Sequence, residues 1–202
     1  MLQSKLKKKQ LLPLALFFLV TTVLYGCNIR KTPPKCSEFL VEKPQDRFRY
    51  DKTTPIAYDK LTRISWYRCN AGQVFQDGEC VGEPLKLNWS EAQSYAREFS
   101  ASSGKNWRLP EYWQMRELQR FDCISPAIDT RAFPSVEVSH YWSRDEHIFS
   151  KRMSCSVYTF KGQGYCWQRK AVELPFMLVS DENAERIKFL GRVQRVLIDF
   201  FN

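Results

Sequence analysis

The sequence predicts an α+β domain, and three observations predict it. Two segments carry apolar residues at helical spacing, and the short aromatic-rich segments around them read as strands. An even set of cysteines follows an export-type leader, so the domain is expected to be stapled by disulfides.

The leader comes first. Residues 1–26 hold Lys5, Lys7, Lys8 and Lys9 and no acid, followed by an apolar run from Leu11 to Leu24. That run is shorter than the roughly 20 residues that span a bilayer, the shape of a signal peptide. Leu24, Tyr25, Gly26 and Cys27 fit the bacterial lipobox, in which a small residue precedes a cysteine that is lipidated before cleavage. The mature chain then begins at Cys27, and its acyl chains hold it at the membrane. An uncleaved anchor helix is the alternative; Pro13 and the short run argue against it. In Gram-negative sorting logic, Asn28 rather than Asp after the cysteine directs the chain to the outer membrane, so the bacterial cell envelope is the expected location.

The whole chain has a formal net charge of +9. Once the four signal lysines are removed, the mature charge is about +5. Such a mildly basic exported protein gives no reason to expect nucleic acid; polyanionic glycan or anionic lipid are the fitting acidic partners.

Setting Cys27 aside leaves Cys36, Cys69, Cys80, Cys123, Cys155 and Cys166. The same number of residues separates Cys69 from Cys80 and Cys155 from Cys166, so two local loops are the economical pairing, leaving Cys36 to reach Cys123. The turns expected at Asp77-Gly78 and Gly162-Gln163-Gly164 are not centred between their cysteines, so neither loop is a simple hairpin clip. Zinc is the other reading of clustered cysteines, but no C-x-x-C pair or histidine partner sits nearby, and no metal or cofactor is expected.

Residues 27–55 are polar and proline-punctuated, with KTPPK, VEKPQDR and KTTP, and read as a tether stapled in part by Cys36. From Leu61 the strand-like pieces are ISWY, QVF, SHYW, SVYTF and ELPFMLVS. The first helix lies in LNWSEAQSYAREFSASSG: Asn88 or Ser90 caps it, Trp89, Ala92, Tyr95, Ala96 and Phe99 form its core stripe, and Gly104 ends it. The second follows NWRLPEYW, with Pro110 in its first turn, Glu111 at the positive end of its dipole, and Tyr112, Met115 and Leu118 on its inner face.

The order of LTRISWYRCNAGQVFQDGEC, LNWSEAQSYA, NWRLP, CISPAIDTRAFPSVEVSHYWSRD, SVYTFKGQG and PFMLVS resembles the Lcl C-terminal domain family over residues 56–180. Its sharpest matching positions include Trp66, Cys69, Cys80, Trp89, Trp107, Arg108, Leu109, Pro110, Phe133, Pro134 and Trp142. The resemblance implies a C-type lectin-like fold, with two helices among short twisted antiparallel strands. The family usually has threonine after RLP and a Glu-Leu pair along the helix, where this chain has Glu111 and Gln114-Met115.

Three chemical readings of these motifs are weighed and set aside. NWRLP is similar to a helix start in formylglycine-generating enzymes, but those need unpaired, activated cysteines, and Cys155 and Cys166 are better explained as partners. Calcium-dependent sugar binding needs an E-P-N or Q-P-D tripeptide, and this chain has neither. His140 and His147 lie near Asp145 and Glu146, but nothing elsewhere completes an acid–base constellation. No catalysis is expected. Arg108 instead buries its stem and gives its guanidinium to carbonyls or an acid, with Trp107 packed beside it.

Residues 181–202 lie outside the resemblance. On a helix they gather Lys188, Arg192, Arg195 and Asp199 into one narrow face, whose three cations are a candidate contact for an anion or a partner. Ile187, Phe189, Leu190, Val193, Val196, Leu197 and Phe200 lie around the rest, an apolar side expected to pack on the chain's own domain or on a partner or membrane surface. The expected function is adhesin-like binding of glycan or protein at the cell surface. The alternative is a structural accessory subunit of an envelope machine, docked through this C-terminal amphipathic helix.

Overall fold

A computed structural model describes residues 32–44 and 46–181. The chain parts into two compact units, Met1–Thr32 and Pro33–Asn202, and the architecture below belongs to the second. The leader with Cys27, and the segment 182–202 with Lys188, Arg192, Arg195 and the expected terminal helix, lie outside the described residues. Among the described residues, no helix is long and apolar enough to cross a membrane.

The segment read as a tether carries structure of its own. A single helical turn, α1 (Cys36–Phe39), is joined to Cys123 by a disulfide, and the Cys36 N–H donates to the Ile124 carbonyl at 2.9 Å. Leu40 is fully buried against Cys36 and Cys123. Arg131 then reaches across to donate to the Leu40 carbonyl at 2.8 Å.

The first sheet is antiparallel throughout, in the order β1 (Phe48–Arg49), β2 (Ile56–Asp59), β3 (Ile64–Tyr67), β9 (Val179–Ser180). Between β2 and β3 the chain turns on Asp59, whose carboxylate accepts the Leu61 N–H at 3.0 Å and the Thr62 hydroxyl at 2.8 Å. Arg47 grips the same fully buried carboxylate with both arms of its fork, at 3.1 and 2.7 Å, which neutralises it. Of ELPFMLVS only its last two residues before Asp181 form strand; Phe176 and Leu178 instead offer carbonyls to Ala71 and Tyr67.

A two-stranded hairpin follows, β4 (Val74–Gln76) and β5 (Glu79–Val81), and Cys80 on β5 is tied back to Cys69. Its Asp77-Gly78 turn has φ of +52° and +91°, the paired positive values that suit strand twist. The third sheet is β6 (His140–Glu146), β7 (Met153–Tyr158) and β8 (Gln163–Arg169), with a register shift in each pairing. The second shift falls where Cys155 and Cys166 are joined. Gln163 and Gly164, expected in the turn, belong to β8.

Helix α2 (Trp89–Ser103) is capped by Asn88, whose side chain accepts from the N–H groups of Ser90 and Glu91 while Glu91 reaches back to the Asn88 N–H. Gly104 ends it at φ +67°. Ala92 and Ala96 are buried, with Trp89, Tyr95 and Phe99 packed partly around them. Helix α3 (Tyr112–Glu117) departs from expectation at its start. Pro110 precedes the helix rather than occupying its first turn, because Glu111 is still extended. The cap forms one residue later, where Gln114 turns back to accept the Glu111 N–H at 2.7 Å and Asp145 accepts the Tyr112 N–H.

Two aromatic-rich cores result. One joins Trp66, Phe133, Tyr112, Met115 and Val157; Phe133 meets Trp66 edge-on at 5.9 Å and Phe48 at 5.1 Å. The other joins Tyr67, Ala92, Trp107, Trp142 and Phe176. Trp142 is fully buried and donates its indole N–H to the Leu87 carbonyl at 2.9 Å, and Trp89 donates to the Ser143 carbonyl at 2.9 Å. Pro134 is the exception among the motif positions: it is exposed.

Candidate functional site

The segment before α3 is where structure and surface chemistry meet. Arg108 and Val179 exchange main-chain hydrogen bonds in both directions at 2.9 Å, so the segment lies along β9. Trp107 is buried near Tyr67 and Phe99, and Leu109 and Pro110 are buried beside it. The Arg108 guanidinium donates to the Leu109 carbonyl and to Gln114 Oε1, each at 3.0 Å, and to Asp181 Oδ2 at 2.8 Å. Its charge is spent on holding α3 and β9 together. Burial works against the Asp181 carboxylate, yet the Arg108 hydrogen bond and charge hold its pKa below the usual range.

On the far side of the α3 start, Asp145 of β6 is half-buried. Burial pushes its carboxyl above the usual carboxylate range and the neighbouring Glu111 charge adds to this, against the Tyr112 N–H that favours the charged form. The folded state therefore binds a proton that the unfolded state releases. The stability this group contributes is fully present below its unfolded pKa and is lost as pH rises through the raised value. Asp145→Asn keeps an acceptor for Tyr112 and removes the titration. Thermal melts at stepped pH are expected to show a smaller loss in this variant than in wild type from the ordinary carboxylate range toward neutrality. Equal losses contradict the assignment.

A groove of about 430 Å³ opens beside this segment, lined by Gln93, Arg97, Ser100, Ala101, Asn106, Trp107, Arg108 and Arg144. Its wall holds three guanidinium groups, two amides and a hydroxyl, and no carboxylate. Arg108 is engaged internally, but Arg97 and Arg144 are exposed; Arg97 donates to the Ser94 hydroxyl at 2.9 Å within its own helix. The motif thus builds one wall with structural residues, while α2 and β6 supply the available charge. Sequence reasoning missed Arg97 and Arg144. The readable signal was the polar line Gln93, Arg97 and Ser100, which recurs at one-turn and two-turn spacing on α2.

The histidines do not form a common site. His140 stacks on Tyr158 at 4.9 Å and shares a hydrogen bond with the Ser156 hydroxyl at 3.0 Å, and burial lowers its pKa. His147 lies against Trp167, ring centroids 4.0 Å apart, and accepts the Phe149 N–H at 3.1 Å. Cys155 and Cys166 are bonded to each other.

The molecule is a disulfide-stapled domain of mixed helix and small antiparallel sheets with a basic surface groove. The description Lcl C-terminal domain matches residues 55–180, and the chain belongs to that family. A comparison with curated proteins finds no match.

Proposed function

We propose that the chain is a non-catalytic, lipid-anchored module of the bacterial cell envelope, built on a C-type lectin-like domain, that binds acidic glycan in the arginine-lined groove. The observation that carries this reading is the groove wall, where exposed Arg97 and Arg144 stand beside Gln93, Asn106 and Ser100 with no carboxylate among them. Guanidinium forks match sulfate and carboxylate geometry, and amides and hydroxyls suit the ring hydroxyls between such groups. The absence of catalysis is supported by the engagement of the reactive types: Cys155 and Cys166 are disulfide-bonded and Asp145 caps α3.

The test is affinity of the full-length chain for an immobilised sulfated oligosaccharide. Each lost charge-assisted contact costs about 1.5 kcal/mol or more, so Arg97→Glu and Arg144→Glu are each expected to weaken binding at least about tenfold. An unchanged affinity in the double variant contradicts the reading and favours a protein-docking role through residues 182–202. The anchor is tested separately: Cys27→Ser is expected to leave an unprocessed precursor without acyl label, and normal processing of that variant excludes lipidation.

A further inference from the structure

The hairpin between β6 and β7 carries an unusual tip. Its residues 147–152 read His-Ile-Phe-Ser-Lys-Arg and contain no carboxylate. Ile148 is 51% exposed and Phe149 75%, although both are large and apolar. Neither is an isolated surface hydrophobe. Phe149 lies 6.1 Å from the His147 ring, and that ring also lies 4.0 Å from Trp167 of β8, itself 48% exposed. Tyr165, two residues along β8, is 45% exposed. The apolar group is bordered by Lys151, Arg152 and Arg169, all exposed. Across the hairpin base, Lys170 is paired with Glu146 at 2.6 Å, so the nearest strand carboxylate is already answered.

A projecting apolar pair, an amphipathic indole behind it and a border of cations is the arrangement that matches a membrane interface. Apolar tips enter the acyl boundary, tryptophan sits at headgroup depth, and each lysine or arginine is drawn to an anionic surface. We propose that this tip docks onto an anionic lipid surface, with Ile148 and Phe149 entering it, Trp167 at the boundary, and Lys151, Arg152 and Arg169 facing the headgroups. Charge complementarity selects this occupant: a protein patch of ordinary composition gives no reason for three exposed cations around the apolar tip that pair with no carboxylate among the described residues. The inference uses residues separate from the arginine groove and stands whether or not that groove binds glycan.

The test uses the full-length chain on vesicles of phosphatidylcholine with or without phosphatidylglycerol, carrying bromine-labelled acyl chains that quench tryptophan emission. Trp66, Trp107, Trp113 and Trp142 are buried and Trp89 is partly buried, so the share of the quenching lost in Trp167→Phe isolates Trp167, whatever else holds the chain to the vesicle. Quenching is expected on phosphatidylglycerol vesicles and to fall at least about twofold in Trp167→Phe, in Ile148→Ser with Phe149→Ser, and in Lys151→Glu with Arg152→Glu. All three changes lie at exposed positions, and unchanged melting temperatures serve as the folding control. The proposal is overturned if Trp167→Phe leaves the quenched fraction unchanged, or if quenching is equal on the two vesicle types. Oligosaccharide binding in the groove is expected to be unaffected by the tip variants, which separates this failure from failure of the glycan reading.

Discussion

Arg68→Met is expected to destabilise the domain by about 3–5 kcal/mol, because a buried cation here donates to carbonyls of two segments far apart in the chain. Arg68 is 4% exposed. Its guanidinium lies 4.2 Å from the Tyr50 ring and 4.5 Å from that of Phe75. Its donors reach the Ala132 carbonyl at 3.1 Å, the Asp51 carbonyl at 2.9 Å and the Arg131 carbonyl at 3.1 Å. One side chain at the end of β3 thus fastens the segment before β2 to the loop that carries Phe133. Methionine fills the space between the rings but supplies no donor to these carbonyls, nor to that of Thr54, which Arg68 also reaches at 3.4 Å. Arg68→Lys is expected to recover less than half of the loss, since an ammonium is a point charge and cannot spread a planar fork between two rings. Chemical denaturation with the disulfides intact measures both variants; a loss below about 1 kcal/mol in Arg68→Met contradicts the account.

Gly164→Ala is the second large effect. The Cβ would stand 1.5 Å from the Tyr112 hydroxyl oxygen, 2.5 Å from Cζ and 2.8 Å from Arg116 Nη1. Tyr112 cannot yield easily: it is 1% exposed, and its own N–H is held by Asp145. Overpacking of this kind costs about 3 kcal/mol or more. Tyr112→Phe removes the nearest atom, so the double variant is expected to regain part of the stability lost in Gly164→Ala alone. If the two changes simply add, α3 does not press on β8 as described.

Much of this architecture is legible in the sequence because it rests on local chemistry. Asn88 with Glu91 and Gly104 bounds α2, Asp77-Gly78 marks the first hairpin, and equal spacing suggests the two local cysteine pairs. Less legible are features made by residues distant in the chain. The start of α3 is displaced by Asp145, more than 30 positions away, whose carboxylate takes the Tyr112 N–H. Similarly, the cysteine pairing announces that Cys36 reaches Cys123, but no local pattern in the proline-punctuated stretch announces the turn of α1, its bond to Ile124 or the pairing of β1 with β2. The groove was the least visible feature: Arg97 and Arg144 belong to different elements, and only the docking of α2 beside β6, marked by the Trp89 bond to Ser143, brings them to one wall.

The central claim is that the groove recognises acidic groups on glycan. Calorimetric titration of the full-length chain with a sulfated oligosaccharide and its desulfated counterpart, at low and high salt, tests it most directly. The account predicts binding of the sulfated form alone, weakening as salt screens the exposed arginines, and its loss in Arg97→Glu with Arg144→Glu. Equal binding of the two sugars, or sulfated binding that survives that double charge reversal, would contradict it.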